Sequence, residues 1–369
     1  MDWRFILRVL TRLSFGGMVL AFSLGATTGY AQKFTVTVLG NIANGVSTSA
    51  NAMNNAGQVV GSASDMSGNT YATIWNGTTP TIIAGYATPG FGPAFADATA
   101  INNSGIVVGS QSIFPGFTVP FVWGPTVGGC LLCNIAYPTG INDSEAIVGG
   151  EQVRGLGLVA VMWPSPSATD PDILPMVSIY YSTSASGINN TGQIVGYSAT
   201  SEPDLYGNST THAALWESST SVPRDLGTLG GASSQAVNIS NRGFIVGWAD
   251  IGNGTEHAAL WGPTTTASDL GTLGGNGSDA SGINLEGDVV GSAQTVWGVW
   301  HAVLWTNKHH KAVDLNTEID GQKALEITLL DAVATNDRCM IVANGYDNKT
   351  GAAESFVLSL TDQSNCDEP

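Results

Sequence analysis

Charge is scarce in this chain. Only 11% of its 369 residues are Asp, Glu, Lys or Arg, and Lys plus Arg total 12 against 29 acids. A formal charge of −17 excludes the electropositive surface that phosphate backbones and anionic lipid heads require, so nucleic acid is not an expected partner. Straight-chain charged helix formers are few, while Gly alone numbers 47. With the abundant Ser, Thr, Val and Asn, that composition reads as all-β with many turns. Long apolar runs are missing after residue 31, so no later segment is expected to span a bilayer as a helix. Cysteines number four. Contiguous motifs for catalysis are absent too: no nucleophile elbow, P-loop, H-E-x-x-H or carboxylate pair is legible. Apolar residues are not in short supply. At 43% they suffice for a packed core and exclude disorder.

The first 31 residues follow other rules. Arg4, Arg8 and Arg12 precede an apolar stretch from Leu13 to Ala26, and Gly29-Tyr30-Ala31 offers small residues for cleavage. This pattern predicts a secretory signal peptide over 1–31, and hence a secreted, extracellular or periplasmic protein. Cleavage there would remove three arginines and Asp2, moving the formal charge from −17 to −19.

The rest is one phrase written repeatedly. It reads MNNAGQVVG from Met53, INNSGIVVG from Ile101, INDSEAIVG from Ile141, INNTGQIVG from Ile188, ISNRGFIVG from Ile239 and INLEGDVVG from Ile283, then TNDRCMIVA from Thr335. Spacings of 40 to 52 residues mark a repeat architecture. The copy from Ser233 parses into four runs of strand composition: Gln235–Ile239, Phe244–Trp248, His257–Trp261 and Asp269–Leu273. In N-x-x-G the Asn caps a type I turn and Gly takes the left-handed position. Glu145 and Cys339 occupy that Gly position in two copies, where strain is expected. The Gly closing "VVG" points to a bulge or a close backbone approach.

A tryptophan ends the third strand at Trp75, Trp123, Trp163, Trp216, Trp261 and Trp305, which suits packing between repeats better than a ligand site. Four strands per repeat and seven repeats predict a seven-bladed β-propeller over 32–360, with a tail over 361–369. The seventh copy stops at its third strand, while Phe34–Gly40 looks like a fourth strand with no blade before it. That N-terminal strand is expected to complete blade seven and close the ring.

The strings His212-Ala-Ala-Leu-Trp216, His257-Ala-Ala-Leu-Trp261 and His301-Ala-Val-Leu-Trp305, with Asp225-Leu-Gly-Thr-Leu-Gly-Gly231 and Asp269-Leu-Gly-Thr-Leu-Gly-Gly275, resemble the HAF-type extracellular repeat family. The resemblance covers about residues 184–320. It weakens where Tyr71, Val119 or Glu354 replaces the histidine. It implies a secreted bacterial repeat protein with no established activity, and no catalytic residue is carried over.

Three histidines at one position invite a zinc reading, but they open strands remote from a propeller's axis and are expected to make structural hydrogen bonds. His309-His310 offers no third ligand. The loops around Asp65/Asn69 and Asp347/Asn348 allow calcium, although without alternating acids. Cys339 and Cys366 fall at one end of blade seven and suit a disulfide; Cys130 and Cys133 suit a local one rather than redox work.

The segments joining strands two and three vary most. They place Phe114 and Phe117, Tyr206 with Glu202 and Asp204, Trp248 and Asp250, Trp297 and Trp300, and Tyr346 on one rim. Aromatics beside Asp, Asn and Gln grip sugar rings by stacking and hydrogen bonding, although some of these would only pack the loops down. The leading expectation is a non-enzymatic binding or adhesion module for an extracellular glycan or surface polymer. A hydrolase or lyase drawing acids from Asp65, Asp97, Asp204 or Asp279 is one alternative, and a structural matrix protein is another.

Overall fold

The computed structural model describes residues 34–85, 94–114, 117–125, 130–131, 136–168, 170–177, 182–200, 210–263, 266–307, 311–319 and 323–361. They form seven four-stranded antiparallel sheets, the blades of a β-propeller. Inner strands are Gly45–Met53, Ala96–Ile101, Ala136–Ile141, Thr183–Ile188, Gly230–Ile239, Gly274–Ile283 and Ile327–Thr335, for blades one to seven. Among the described residues, helix is confined to a 3-10 turn at Leu315–Thr317 and one turn at Lys323–Glu326. Closure is as expected. Phe34–Val38 pairs antiparallel with Ala353–Leu360, Phe34 opposite Leu360, and is the outer strand of blade seven.

The expected fourth strand Asp269–Leu273 is corrected. Only Ser268–Asp269 is strand, because Gly271 turns the chain at φ 72° and Leu273 already bridges to Thr295 in blade six. Blades two to five share such two-residue outer strands.

The inner strands of blades one, five, six and seven shift register once near their start, and every inner strand carries a bulge at one equivalent position, at Asn51, Thr99, Thr139, Ser186, Val237, Ser281 and Val333. The glycine of "VVG" makes room for it. A Cβ added at Gly61, Gly109, Gly149, Gly196, Gly247 or Gly291 would collide with a carbonyl oxygen of the inner strand. The bulge turns its side chain toward the next blade: Thr99 Oγ1 donates to Pro138 O at 2.8 Å and Thr139 Oγ1 to Ala185 O at 2.9 Å. Bulge residues also line a central cavity of about 430 Å³.

The third-strand tryptophans are inter-blade packing. Trp163 shares a cluster with Ile106, Val108 and Val122 of blade two, and Trp261 with Val195 and Leu215 of blade four. Five of the six have no exposed surface, while Trp123 is half-buried.

At one mouth of the channel the N-x-x-G turns form a belt. Asn102 Oδ1 accepts the N–H groups of Ser104 and Ile106, and Asn102 Nδ2 donates to Asn142 O of the next blade at 3.1 Å. Asn54, Asn142, Asn189 and Asn336 donate likewise, the last from blade seven to Asn54 O of blade one. An outer circuit runs beside it, the backbone N–H of every blade but the fifth meeting the next blade's side-chain oxygen, as from Asn103 to Asp143 and from Asp337 to Asn55. Glu145 and Cys339 adopt φ 67° and 54°, so both non-glycine turns hold the left-handed conformation at a strain cost.

Candidate functional site

In blade six the second strand ends at Thr295 and the third opens at Trp300. The hairpin between them closes through Gly298 N–H to Thr295 O at 2.8 Å and Thr295 N–H to Val299 O at 2.9 Å, with Gly298 at φ 75°. Blade five builds the same turn from Ile251, Gly254 and Thr255 and places Gly252 and Asn253 at its tip. The scaffold therefore does not demand aromatics here. Blade six nonetheless places Val296 and Trp297 at the tip, Trp297 being 86% exposed.

Trp300 is 36% exposed. Its ring edge covers Gly277, where an added Cβ would meet Cη2 at 3.3 Å and the Glu256 carbonyl oxygen at 3.5 Å. Beside it, Asn276 N–H donates to Gln294 Oε1 at 3.2 Å, and Gln294 is the cross-strand partner of Trp300. Trp300 thus sits at the seam of blades five and six.

Carboxylates lie on the inner strands. Two residues before each bulge lies one equivalent position per blade, and Asp97, Asp279 and Asp331 occupy it in blades two, six and seven. Asp97 is satisfied: Asn51 Nδ2 donates to both its oxygens at 2.9 Å. Burial raises its pKa, and hydrogen bonds from Ser62 and Asn51 oppose that rise. Asp279 is pushed up to about 6, mainly by burial and then by the charges of Glu256 and Asp331. Burial alone lifts Asp331 to about 6, and its Oδ1 is buried without a hydrogen-bond partner. Asp279 and Asp331 thus hold equivalent positions on adjacent inner strands.

Other expected rim residues are placed differently. Trp248 lies within strand Ile245–Ile251, half-buried between Gln235 and Ala258, rather than in a loop. Asp250 is in the same strand, paired with Glu256, and its Oδ2 accepts the Ser233 N–H at 2.9 Å. Tyr346 belongs to strand Ile341–Asp347. Phe114 ends one strand of blade two and Phe117 opens the next. The reason is common to all: these hairpins are tight, so the strands run further than their composition suggested. Tyr206, Glu202 and Asp204 lie outside the described residues. The structure places Trp297, Trp300 and Asp279 in blade six and Asp250 and Glu256 in blade five, with the Trp300 ring and the Glu256 carbonyl meeting at Gly277, while Phe114, Phe117 and Tyr346 stand in blades two and seven. Glu256 and Asp331 were missed by sequence reasoning, although register relative to the bulge marks Asp331 as the counterpart of Asp279.

The histidines act as latches. His212, His257 and His301 Nδ1 lie 2.8, 2.9 and 2.7 Å from Asp225, Asp269 and Asp314. Asp225 and Asp269 each also accept a glycine N–H in the turn that follows, at 2.7 Å. Each pair ties a short outer strand to its neighbour. No group of three or more His, Cys, Asp or Glu side chains is placed to hold a metal among the described residues; His309 and His310 lie outside them.

Asp65 accepts from Ser67 N, Asn69 N, Asn69 Nδ2 and the Tyr71 hydroxyl. Those bonds, led by Asn69, hold its carboxyl below the usual range. Asp347 caps its own turn through Thr350 and Lys349 and is lowered too. Both loops expected to suit calcium spend their carboxylates internally. Cys339 is disulfide-bonded. Cys366 and Cys133 lie outside the described residues, and Cys130 opens the outer strand of blade two.

No family model matches the chain, and no curated protein matches it. Among solved structures, TolB from Acinetobacter baumannii is similar at 9% identity, covering 82% of this chain and 63% of its own, with a TM-score of 0.46. The extracellular domain of a one component system from B. thetaiotaomicron is similar at 9% identity over 89% of this chain and 40% of that one, TM-score 0.49. Aleuria aurantia lectin is similar at 10% identity over 64% of this chain and 76% of that one, TM-score 0.36. The chain thus spans less than two thirds of TolB and of the B. thetaiotaomicron domain, and at these identities the likeness says nothing of ligand.

Proposed function

We propose that this protein is an exported, non-enzymatic binding module that holds an extracellular glycan or surface polymer at the rim of blades five and six. Export rests on the signal-like residues 1–31, and the resemblance to HAF-type repeats agrees with it. Trp297 carries the reading. A side chain of that size left 86% exposed on a turn that blade five builds without it is explained by a ligand, not by folding. Trp300 adds a second ring, and Gln294 and Asp250 supply polar groups beside it. A stacked sugar ring on such a platform is worth about 1–3 kcal/mol.

A glycan array probed with the wild-type protein and with Trp297→Ala tests this. One glycan class should bind and weaken roughly 5- to 150-fold in the variant, with thermal stability unchanged. Wild-type binding to nothing on the array, or variant binding at wild-type strength, would remove the proposal.

A second reading, hydrolysis, is favoured by Asp279 and Asp331, since a carboxyl whose pKa is raised toward neutrality can serve as a general acid. Turnover of a bound glycan that Asp279→Asn abolishes would select it; intact glycan recovered after prolonged incubation would dismiss it.

A further inference from the structure

We propose that the central cavity is a second binding site, which takes one uncharged, polyhydroxylated molecule of monosaccharide size against Ser186, Asn238 and Ser281. This site goes beyond the rim of blades five and six and stands independently of it.

Successive residues of each inner strand, starting at the bulge, wall this cavity of about 430 Å³. That volume falls within the ~300–1,000 Å³ of small-molecule sites, and no charged side chain lines it among the described residues. The residue after the bulge is Ala or Gly in six blades and Asn238 in the fifth. Packing explains the small ones. A Cβ at Gly187 would stand 3.3 Å from Val237 O, and one at Gly282 would stand 3.2 Å from Ala334 Cα. The scaffold does not ask for an amide there. Asn238 Oδ1 accepts the Ile239 N–H at 2.7 Å, which leaves Nδ2 on the cavity wall with no hydrogen bond among the described residues.

The bulge positions divide the wall in two. Blades one to three spend their donors on the next blade: Asn51 Nδ2 on Asp97, Thr99 Oγ1 on Pro138 O and Thr139 Oγ1 on Ala185 O. Ser186 and Ser281 take that position in blades four and six, and neither hydroxyl makes a hydrogen bond among the described residues. Free polar groups therefore gather on blades four to six, across the cavity from Ala52, Ala100 and Ile101. A pyranose has the same division, with apolar C–H faces and hydroxyls that both donate and accept. Water satisfies the polar arc but is held poorly by the apolar one, so a sugar that displaces it gains affinity. A charged ligand would lose hydration with no counter-charge on the wall.

Calorimetric titration with glucose, galactose and mannose, each set against its uronate and its hexosamine, tests the proposal. At least one neutral sugar should bind, about tenfold or more tighter than its charged counterparts. Asn238→Ala gives blade five the residue that blades one, two and seven carry, so folding is spared, and it should weaken that sugar about fivefold or more. Ser186→Ala combined with Ser281→Ala removes two hydroxyls that bond nothing else and should do the same. Trp297→Ala should leave this affinity unchanged, because the rim is a separate site. No binding of any neutral sugar, charged forms bound as tightly, wild-type affinity in Asn238→Ala or in the serine variant, or loss of binding in Trp297→Ala would overturn the inference. Cavity binding that persists while Trp297→Ala leaves glycan-array binding unchanged would remove the rim reading alone.

Discussion

Asp331→Asn should stabilise this protein, and only above a defined pH. Folding raises the Asp331 carboxyl from 3.8 to about 6 because its charged form is buried between blades. Between those values the folded state holds a proton that the unfolded chain has released, so stability falls as pH rises from about 4 to about 6 and levels off above. A shift of that size corresponds to roughly 3 kcal/mol. Asparagine imitates the protonated group and should recover that amount near neutral pH. For a propeller of roughly 330 residues this is a rise of about 4 °C in melting temperature. Near pH 4 the two proteins should melt together. The difference between them is the useful quantity, since Asp65, Asp143 and Asp347 have lowered values and push total stability the opposite way. Circular dichroism melts across this range would measure it. A variant destabilised at every pH, or one whose gain over wild type is constant with pH, would refute the argument.

Other outcomes follow from the packing. Deleting residues 34–38 uncovers Phe356, Leu358 and Leu360 at the outer edge of blade seven and should lower the melting temperature by more than about 10 °C, read by scanning calorimetry. Trp261→Ala should cost roughly 3–5 kcal/mol in urea unfolding because it empties a fully buried inter-blade site, whereas Trp297→Ala should stay within about 0.5 kcal/mol. Asn102→Ala leaves the N–H groups of Ser104 and Ile106 without partners and removes the inter-blade donor to the Asn142 carbonyl, which keeps only the Glu145 N–H; it should cost roughly 2–4 kcal/mol in the same assay.

Much of the scaffold was legible because one short phrase carries its own geometry. Asn at the turn, Gly facing the bulge and Trp at the end of strand three each sit at a fixed phase, so blade number, inter-blade packing and closure by Phe34–Val38 could be read before any contact was known. Strand ends were not legible. Composition at Asp269–Leu273 is strand-like, but Gly271 and Gly274 turn the chain out of one blade and into the next. The site was read in part. Trp297 stood out because the repeat has no use for it, while Trp248 was misplaced into a loop since hairpin length does not show in composition. Asp279 and Asp331 lie 52 residues apart and are related only through equal register on neighbouring inner strands, a relation no local motif expresses.

The belt at the channel mouth is broken at two junctions, and the wider break decides how the molecule would come apart. Between blades six and seven only Asn284 Nδ2 lacks its partner, while the outer circuit continues from the Leu285 N–H to Asp337 Oδ1. Ser240 replaces Asn in blade five, and its short hydroxyl makes no donation to blade six among the described bonds. Leu285 offers no oxygen to the Asn241 N–H. Both circuits therefore lapse at the same junction, which retains the Arg242–Glu286 pair at 3.7 Å, an exposed contact of little energetic value. A closed ring has no terminal repeat at which fraying can begin, so unzipping must start at whichever junction is least tied. In this protein that is not where the two ends of the chain are stapled together. It is the boundary of blades five and six, whose opposite face carries the rim tryptophans, so a ligand bridging those blades would act as a clasp on the weakest joint and slow the opening of the whole ring.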